Sequence, residues 1–183
     1  MGIKPIEYQP WKGKRTSYLR RVIVIIKNIF KNKIASGGII ALLITGGLIA
    51  HFPNFLNLVF MPLRELEANT MLNYFNFLPF YFFAIILGAV VTSDLISDDI
   101  NSNSFVLYFS RPIKPINYLT GKYVGALMTI SMFTLLPTLL YGVAAISLQS
   151  SSNYMDSLEI LGLTIIAGFL YSIVITGYGI MLS

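Results

Sequence analysis

The chain has 183 residues, of which 55% are hydrophobic and 11% charged, with a mean hydropathy of +0.71 and a net charge of +5. A soluble domain of this length could not bury so much apolar surface, so the composition excludes that class and predicts an integral membrane protein. With no cysteine, one histidine (His51) and eight acids, the chain has no thiolate chemistry and few metal ligands, and we expect neither a metal nor another cofactor.

Basic residues are concentrated at the N-terminus, where the first 33 residues hold nine Lys and Arg side chains against one acid, Glu7. A nucleic acid or a membrane surface would each attract such a segment. A basic segment directly before an apolar run is typical of the cytoplasmic side of a membrane protein, where it contacts anionic lipid headgroups. We therefore predict contact with membrane lipids and no nucleic acid partner. A secretory signal peptide is disfavoured because the first apolar run starts too late.

Residues 16–33 have the pattern of an amphipathic helix. At about 100° per residue the basic and amide side chains share one arc and most aliphatic side chains lie opposite, although Val24 and Ile25 intrude on or border the polar arc. We predict a helix in the cytoplasmic membrane interface, so that residues 1–33 form a basic N-terminal segment and residues 34–183 the transmembrane domain. The polar arc holds Arg20, Arg21, Lys27, Asn28, Lys31 and Asn32, and the apolar side holds Leu19, Val22, Ile23, Ile26, Ile29 and Phe30.

Four apolar runs follow, and each is long enough for a membrane-spanning helix. Pro137 is expected to kink the third, and His51, at the far end of the first, is expected to make an interfacial hydrogen bond rather than to relay protons. Small residues at four-residue spacing predict close helix packing, within the chain or between subunits. The runs cover about residues 34–52, 71–91, 123–146 and 159–182. The small residues are Gly37, Ala41 and Thr45 in the first, Gly121 and Gly125 at the start of the third, and Gly168 and Ser172 in the fourth.

The number of Lys and Arg residues in each connection predicts the orientation. Nine precede the first span, one (Arg64) follows it, three lie between the second and third, and none follows the third. This alternation places the N-terminus and residues 94–122 in the cytoplasm, because basic connections stay on that side. We therefore predict a multi-pass protein of the cell membrane with a cytoplasmic N-terminus.

Residues 94–122 form a polar segment between two apolar runs and carry both acids and bases. Three Asp residues open the segment, a small polar run and a short apolar strip follow, and a Ser-Arg-Pro sequence precedes the next apolar helix. Over about 30 residues this order resembles the permease subunits of type 2 ABC transporters, in which an acid and small residues precede Ser-Arg-Pro-Ile and then Tyr and Gly-Lys. The residues at matching places are Ser110, Arg111, Pro112, Ile113, Tyr118, Gly121 and Lys122.

The resemblance implies a permease that moves substrate by alternating conformations, driven by a separate ATPase subunit. Such permeases usually have six spans, so the chain would be either part of a six-helix permease or a minimal variant, paired with a second permease subunit as a homodimer or heterodimer. The ATPase would dock on residues 94–122 through a short helix at about residues 95–100. The residues expected to carry the docking are Asp94, Asp98, Asp99, Ile96, Ile100 and Arg111.

The chain itself is not expected to hydrolyse ATP. It contains no GxxxxGK[ST] sequence, and its Gly-Lys pair lacks the upstream glycine and the following hydroxyl of a phosphate-binding loop. The acids of the central segment have a second explanation, as solvated loop and helix-capping residues. Two explanations also exist for the bases of this segment, which are Arg111, Lys114 and Lys122. They are either positive-inside anchors or partners in ion pairs between loops.

Two other classes stay open. A non-transporting membrane subunit that scaffolds a larger integral complex would have the same hydropathy, and it would purify with integral partners and without an ATPase. A membrane-embedded enzyme normally needs buried ionisable groups. The predicted spans carry no acid apart from boundary positions such as Glu159, which disfavours this third class.

Overall fold

The computed structural model describes residues 17–60, 74–103, 114–148 and 154–183. Throughout these ranges the backbone forms helices joined by turns and no strand occurs in them, so the predicted all-α architecture is confirmed. Four helical stretches in the same ranges are long and apolar enough to cross a membrane, and we number them spans 1 to 4. They are Gly37–Phe60, Leu78–Asn101, Pro115–Ser147 and Leu161–Leu182.

Helix α1, Tyr18–Ile34, is the predicted amphipathic helix before span 1. Two basic side chains in its last turn complement the negative end of the helix dipole. Its apolar side is divided between two environments, because Ile29 is buried inside the protein whereas Leu19 is 68% and Ile23 58% exposed. Moving aliphatic side chains out of water lowers the free energy of the system. This exposed strip therefore suits a membrane interface.

Span 1 is continuous but changes helix type in its middle. Helix α2, Gly37–Gly46, passes into a π-helix, Gly47–His51, whose hydrogen bonds close wider i→i+5 turns, and helix α3, Phe52–Phe60, follows. The span therefore runs beyond its predicted end at residue 52. Pro53 lies where the π-helical hydrogen-bonding pattern gives way to the α-helical one. Although proline has no amide hydrogen to donate, the helix does not end at this position.

Span 2 consists of helix α4, Leu78–Thr92, and the short helix α5, Ser97–Asn101, joined by a turn at residues 93–96. Pro79 lies in the first turn of α4, where proline is favoured because its fixed φ suits the helix and no amide partner is needed. The continuous helix of this span starts at Leu78, Tyr74 and Phe75 before it are also helical, and the predicted start at residue 71 lies outside the described residues. Helix α5 corresponds to the short helix predicted at residues 95–100.

Span 3 contains two helices, α6, Pro115–Thr134, and α7, Leu136–Leu148, which are separated at Leu135. The break lies just before Pro137, where the sequence predicts a kink, because proline disturbs the turn that precedes it. The Thr138 hydroxyl donates to the carbonyls of Thr134 and Leu135, at 2.7 and 2.9 Å. A hydroxyl thus satisfies backbone acceptors beside the break, which is needed where no water is present.

Helix α8, Tyr154–Leu182, contains span 4 and packs against spans 2 and 3. Gly168 allows it to approach the break in span 3, since a Cβ atom there would lie 3.0 Å from the Thr138 hydroxyl and 3.3 Å from the Thr134 carbonyl. Ser172, one turn further on, is fully buried. The two small residues predicted for packing in this span therefore both lie inside the bundle.

The small residues of span 1 lie in a different environment. Gly37, Ala41 and Thr45 are exposed on α2, and a Cβ atom on Gly37 would have no neighbour within 4 Å. Packing inside the chain uses Gly46 instead, where a Cβ atom would lie 2.7 Å from the ring of Phe133. The part of the chain that the structure describes leaves the predicted stripe open, and its role between subunits stays a prediction.

Candidate functional site

Polar side chains from several elements meet at one end of the bundle. The elements are the last turn of α1, the turn before α5, α5 itself and the first turns of α6. We call this cluster the charged joint. All but one of its members come from the segment 94–122 that the sequence singles out. It consists of Lys33, Asp94, Asp99, Tyr118 and Lys122.

The centre of the charged joint is an ion pair between α5 and α6, in which Oδ2 of Asp99 lies 2.6 Å from Nζ of Lys122. Both side chains are largely shielded from water, with 17% and 9% of their surface exposed. The Tyr118 hydroxyl donates a hydrogen bond to the Asp99 carboxylate, and Lys122 donates one to the carbonyl of Leu95. Shielded charges need partners of this kind, so the pair holds α5 in a defined position against span 3.

A second ion pair joins α1 to the turn before α5, where Nζ of Lys33 contacts Oδ1 of Asp94. The Asp94 side chain is 49% exposed, so water screens the pair, and its contribution to stability is about 0.2–1 kcal/mol. On the other side of the turn, the amide of Ile96 donates to Oγ of Ser183 at 3.2 Å. The turn is thereby connected both to α1 and to the end of α8.

Two glycines allow α1 to lie directly against the start of α6. A Cβ atom on Gly121 would lie 2.9 Å from Ile25, and one on Gly125 would lie 2.9 Å from Ile29 and 3.3 Å from the carbonyl of Ile26. A larger residue at either position would force the helices apart, which is why the closest approach falls on glycine. The sequence predicts close packing at both glycines, and the structure identifies the partner as the amphipathic helix rather than another span.

The residues predicted for docking fall into an inner and an outer group. Asp94 and Asp99 are engaged in ion pairs inside the charged joint, and Ile96 is half-buried beside them. Asp98 and Ile100 belong to the outer group: both are exposed, Ile100 by 58%. Among the docking residues that the structure describes, Asp98 and Ile100 expose their side chains outside the charged joint, whereas Asp94 is half-exposed but engaged by Lys33.

Part of the predicted docking segment, Arg111 with its neighbours in the Ser-Arg-Pro-Ile sequence, lies outside the described residues. Of the other two bases in the segment, Lys114 is exposed just before α6, whereas Lys122 is buried in its ion pair. Ion pairs between loops are one of the two explanations that the sequence offers for these bases. The only signal for the pairing was that opposite charges stand at the two ends of one segment, and nothing in that pattern selects Asp99 as the partner.

A second polar cluster surrounds the π-helix of span 1. His51 is only 4% exposed, and its Nδ1 atom lies 2.5 Å from the Tyr74 hydroxyl. Its ring packs against Phe133 and Phe80, with ring centroids 4.5 and 5.8 Å apart. The predicted hydrogen bond is present, but it lies inside the bundle because aromatic side chains of spans 2 and 3 cover the imidazole.

Among the described residues, no three His, Asp or Glu side chains are placed to hold a metal ion. Comparison with known proteins finds no matching family model, no matching curated protein and no matching solved structure. The charged joint and the sequence of its segment are therefore the features of this chain that bear on its function.

Proposed function

We propose that the chain is the transmembrane permease subunit of a type 2 ABC transporter and that α5 is the element on which a separate ATPase subunit docks. The observation that carries this proposal is the difference between the two sides of α5. Its inner side is bound to span 3 through Asp99 and Lys122, whereas its outer side exposes Asp98 and Ile100. The resemblance of residues 94–122 to the docking segment of such permeases supports the same role.

A docking element has to transmit a movement of the ATPase to the membrane spans. Helix α5 follows α4 within span 2 through a short turn, and the shielded pair with Lys122 attaches it to span 3. The turn is also connected to α1 through Asp94 and to the end of α8 through Ile96. A force on α5 would therefore act on several elements together, and we propose that it switches the spans between two conformations that move the substrate.

The proposal places the charged joint and the N-terminus in the cytoplasm, the side on which an ATPase has access to ATP. Nine basic residues before span 1 and three between spans 2 and 3 support this orientation. The protein would lie in the cell membrane as one half of a homodimeric or heterodimeric permease. The open stripe of Gly37, Ala41 and Thr45 is a candidate for the contact between the two halves.

Copurification of the full chain with its native partners tests the docking role. The variants Asp98→Lys and Ile100→Ser change only the outer side of α5, so we expect normal yield and helix content. We expect loss of the ATPase subunit in both. For Asp98→Lys the reason is that an unpaired charge at a partly desolvated interface costs about 2–5 kcal/mol, or about 30-fold or more in affinity. For Ile100→Ser the reason is that an aliphatic side chain is no longer removed from water on docking. The matched control is Ile116→Ser at the start of α6, since Ile116 is 64% exposed but lies off α5.

Asp99 is left unchanged in this experiment because its replacement would disturb the charged joint itself. Full ATPase binding by both α5 variants would reject α5 as the docking element. A native complex that contains integral partners and no ATPase would replace the transporter proposal by the alternative, a non-transporting scaffold subunit of a larger complex.

A further inference from the structure

Helix α1 presents three different strips along its length. One strip, with Ile25 and Ile29, lies against the two glycines of α6. The second is the exposed aliphatic strip of Leu19 and Ile23, which are 68% and 58% exposed. The third is cationic and consists of three exposed side chains, Arg20, Lys27 and Lys31.

The aliphatic and cationic strips are adjacent on the helix surface. At about 100° per residue, Ile23 lies about 40° from Leu19, and the three cations lie about 80–120° from Leu19 on the same side. The opposite edge of the aliphatic strip adjoins the side that packs on α6. The exposed surface of helix α1 therefore consists of a narrow apolar strip directly beside a row of positively charged side chains.

This combination selects the partner. A nucleic acid would pair with the cations but leave Leu19 and Ile23 in water, at an energetic penalty for each aliphatic side chain. The boundary between acyl chains and negatively charged headgroups satisfies both strips at once. We propose that this face of α1 is a binding surface for anionic lipid, and that bound lipid holds the docking helix α5 in position.

The link from lipid to α5 runs through the charged joint. The Lys33 side chain is only 11% exposed and is engaged by Asp94, so a headgroup contacts the three exposed cations and leaves this pair intact. Lipid that keeps α1 in the membrane interface also keeps it against Gly121 and Gly125, and thereby keeps Lys33 beside the turn that leads into α5. Without anionic lipid, α1 loses part of its attachment and α5 becomes less well positioned.

The first measurement is the lipid selectivity of the full chain. Reconstituted protein is probed by electron paramagnetic resonance with spin-labelled phosphatidylglycerol and with spin-labelled phosphatidylcholine. We expect selectivity for phosphatidylglycerol, lost in the triple variant Arg20→Gln, Lys27→Gln and Lys31→Gln, because each basic residue near a membrane surface changes the affinity about fivefold. The matched control keeps all charges at the same positions, Arg20→Lys with Lys27→Arg and Lys31→Arg, and should retain the selectivity.

The second measurement reports the position of α5 relative to α1. The chain has no native cysteine, so nitroxide labels can be attached to single cysteines at the exposed positions Asn28 and Asn101. Double electron–electron resonance should give a narrower distance distribution in equimolar phosphatidylcholine–phosphatidylglycerol vesicles than in phosphatidylcholine alone. Adding Asp94→Asn, which removes the pair with Lys33, should remove most of the difference between the two vesicle compositions while the selectivity for phosphatidylglycerol persists. The pair of Asp99 with Lys122 is kept, so α5 stays attached to span 3.

Each outcome decides one part of the inference. Equal selectivity in the triple variant and the natural sequence would show that α1 does not bind anionic lipid. Selectivity at α1 combined with identical distance distributions in the two vesicle compositions would overturn the link to α5. Neither measurement includes an ATPase, so failure here is distinguishable from failure of the transporter proposal.

Discussion

The ion pair between Asp99 and Lys122 should stabilise the fold far more than the pair between Lys33 and Asp94, although both lie in the charged joint. The difference follows from exposure, since Asp99 is 17% exposed and Asp94 is 49% exposed. Removing one member of a shielded pair leaves the other desolvated without a counter-charge. Removing one member of a half-exposed pair leaves a charge that water can solvate.

The magnitudes can be estimated for a double-mutant cycle. A fully buried pair costs about 3–5 kcal/mol when one partner is removed, so for this slightly exposed pair we expect about 2–3 kcal/mol for either Asp99→Asn or Lys122→Met. The double variant leaves no unpaired charge and should cost no more than either single variant, which gives a coupling energy of at least about 2 kcal/mol. The corresponding cycle with Lys33→Met and Asp94→Asn should give less than about 1 kcal/mol.

Unfolding by sodium dodecyl sulfate in mixed micelles, followed by circular dichroism, provides the free energies for both cycles. All variants are full chains in the same detergent, so each cycle serves as the control for the other. A coupling energy for Asp99 and Lys122 no larger than that for Lys33 and Asp94 would refute the reasoning from burial. It would also remove the physical basis for treating α5 as firmly attached to span 3.

Two further predictions concern packing and topology. Gly125→Ala places a methyl group against Ile29 and should destabilise the chain by about 1–3 kcal/mol in the same assay. Gly37→Ala, with open space around its Cβ atom, should be neutral or stabilising by at most about 1 kcal/mol; equal losses in the two variants would contradict the packing. In the cell, a single cysteine at Ser102 should react with a membrane-impermeant maleimide only after the cytoplasmic side is opened, whereas one at Ser152, in the connection after span 3, should react from outside. The reverse pattern would invert the proposed orientation.

The amphipathic helix and the existence of four spans could be predicted because both depend on local patterns. The period of apolar residues in α1 and the length of each apolar run are visible within a single segment. Boundaries were less predictable where a polar residue is buried by tertiary contacts. Hydropathy places the start of the third span at about residue 123, but α6 begins at Pro115, because Lys122 is paired with Asp99 and does not end the helix.

The candidate site could be predicted as a segment but not as a set of roles. The sequence groups Asp94, Asp98 and Asp99 together, and the structure engages two of them inside the chain and leaves Asp98 exposed. In a helix as short as α5, periodicity does not determine which charge meets a partner from another span. The partner of Gly121 and Gly125 was not predictable for the same reason, because spacing marks a packing face without saying which helix lies on it.

The π-helix Gly47–His51 has a consequence for how span 1 tolerates changes of length. A wider turn accommodates one additional residue, and one residue corresponds to a rotation of about 100° about the helix axis. The orientation of α3, including the contact of Phe55 with Tyr141 at 5.5 Å between ring centroids, thus depends on that residue being present. A deletion in this segment that restored α-helical bonding would turn a different side of α3 toward the bundle. An insertion or deletion here would therefore rotate one half of a membrane span by about 100° relative to the other half, so that part of its protein-facing side would face lipid.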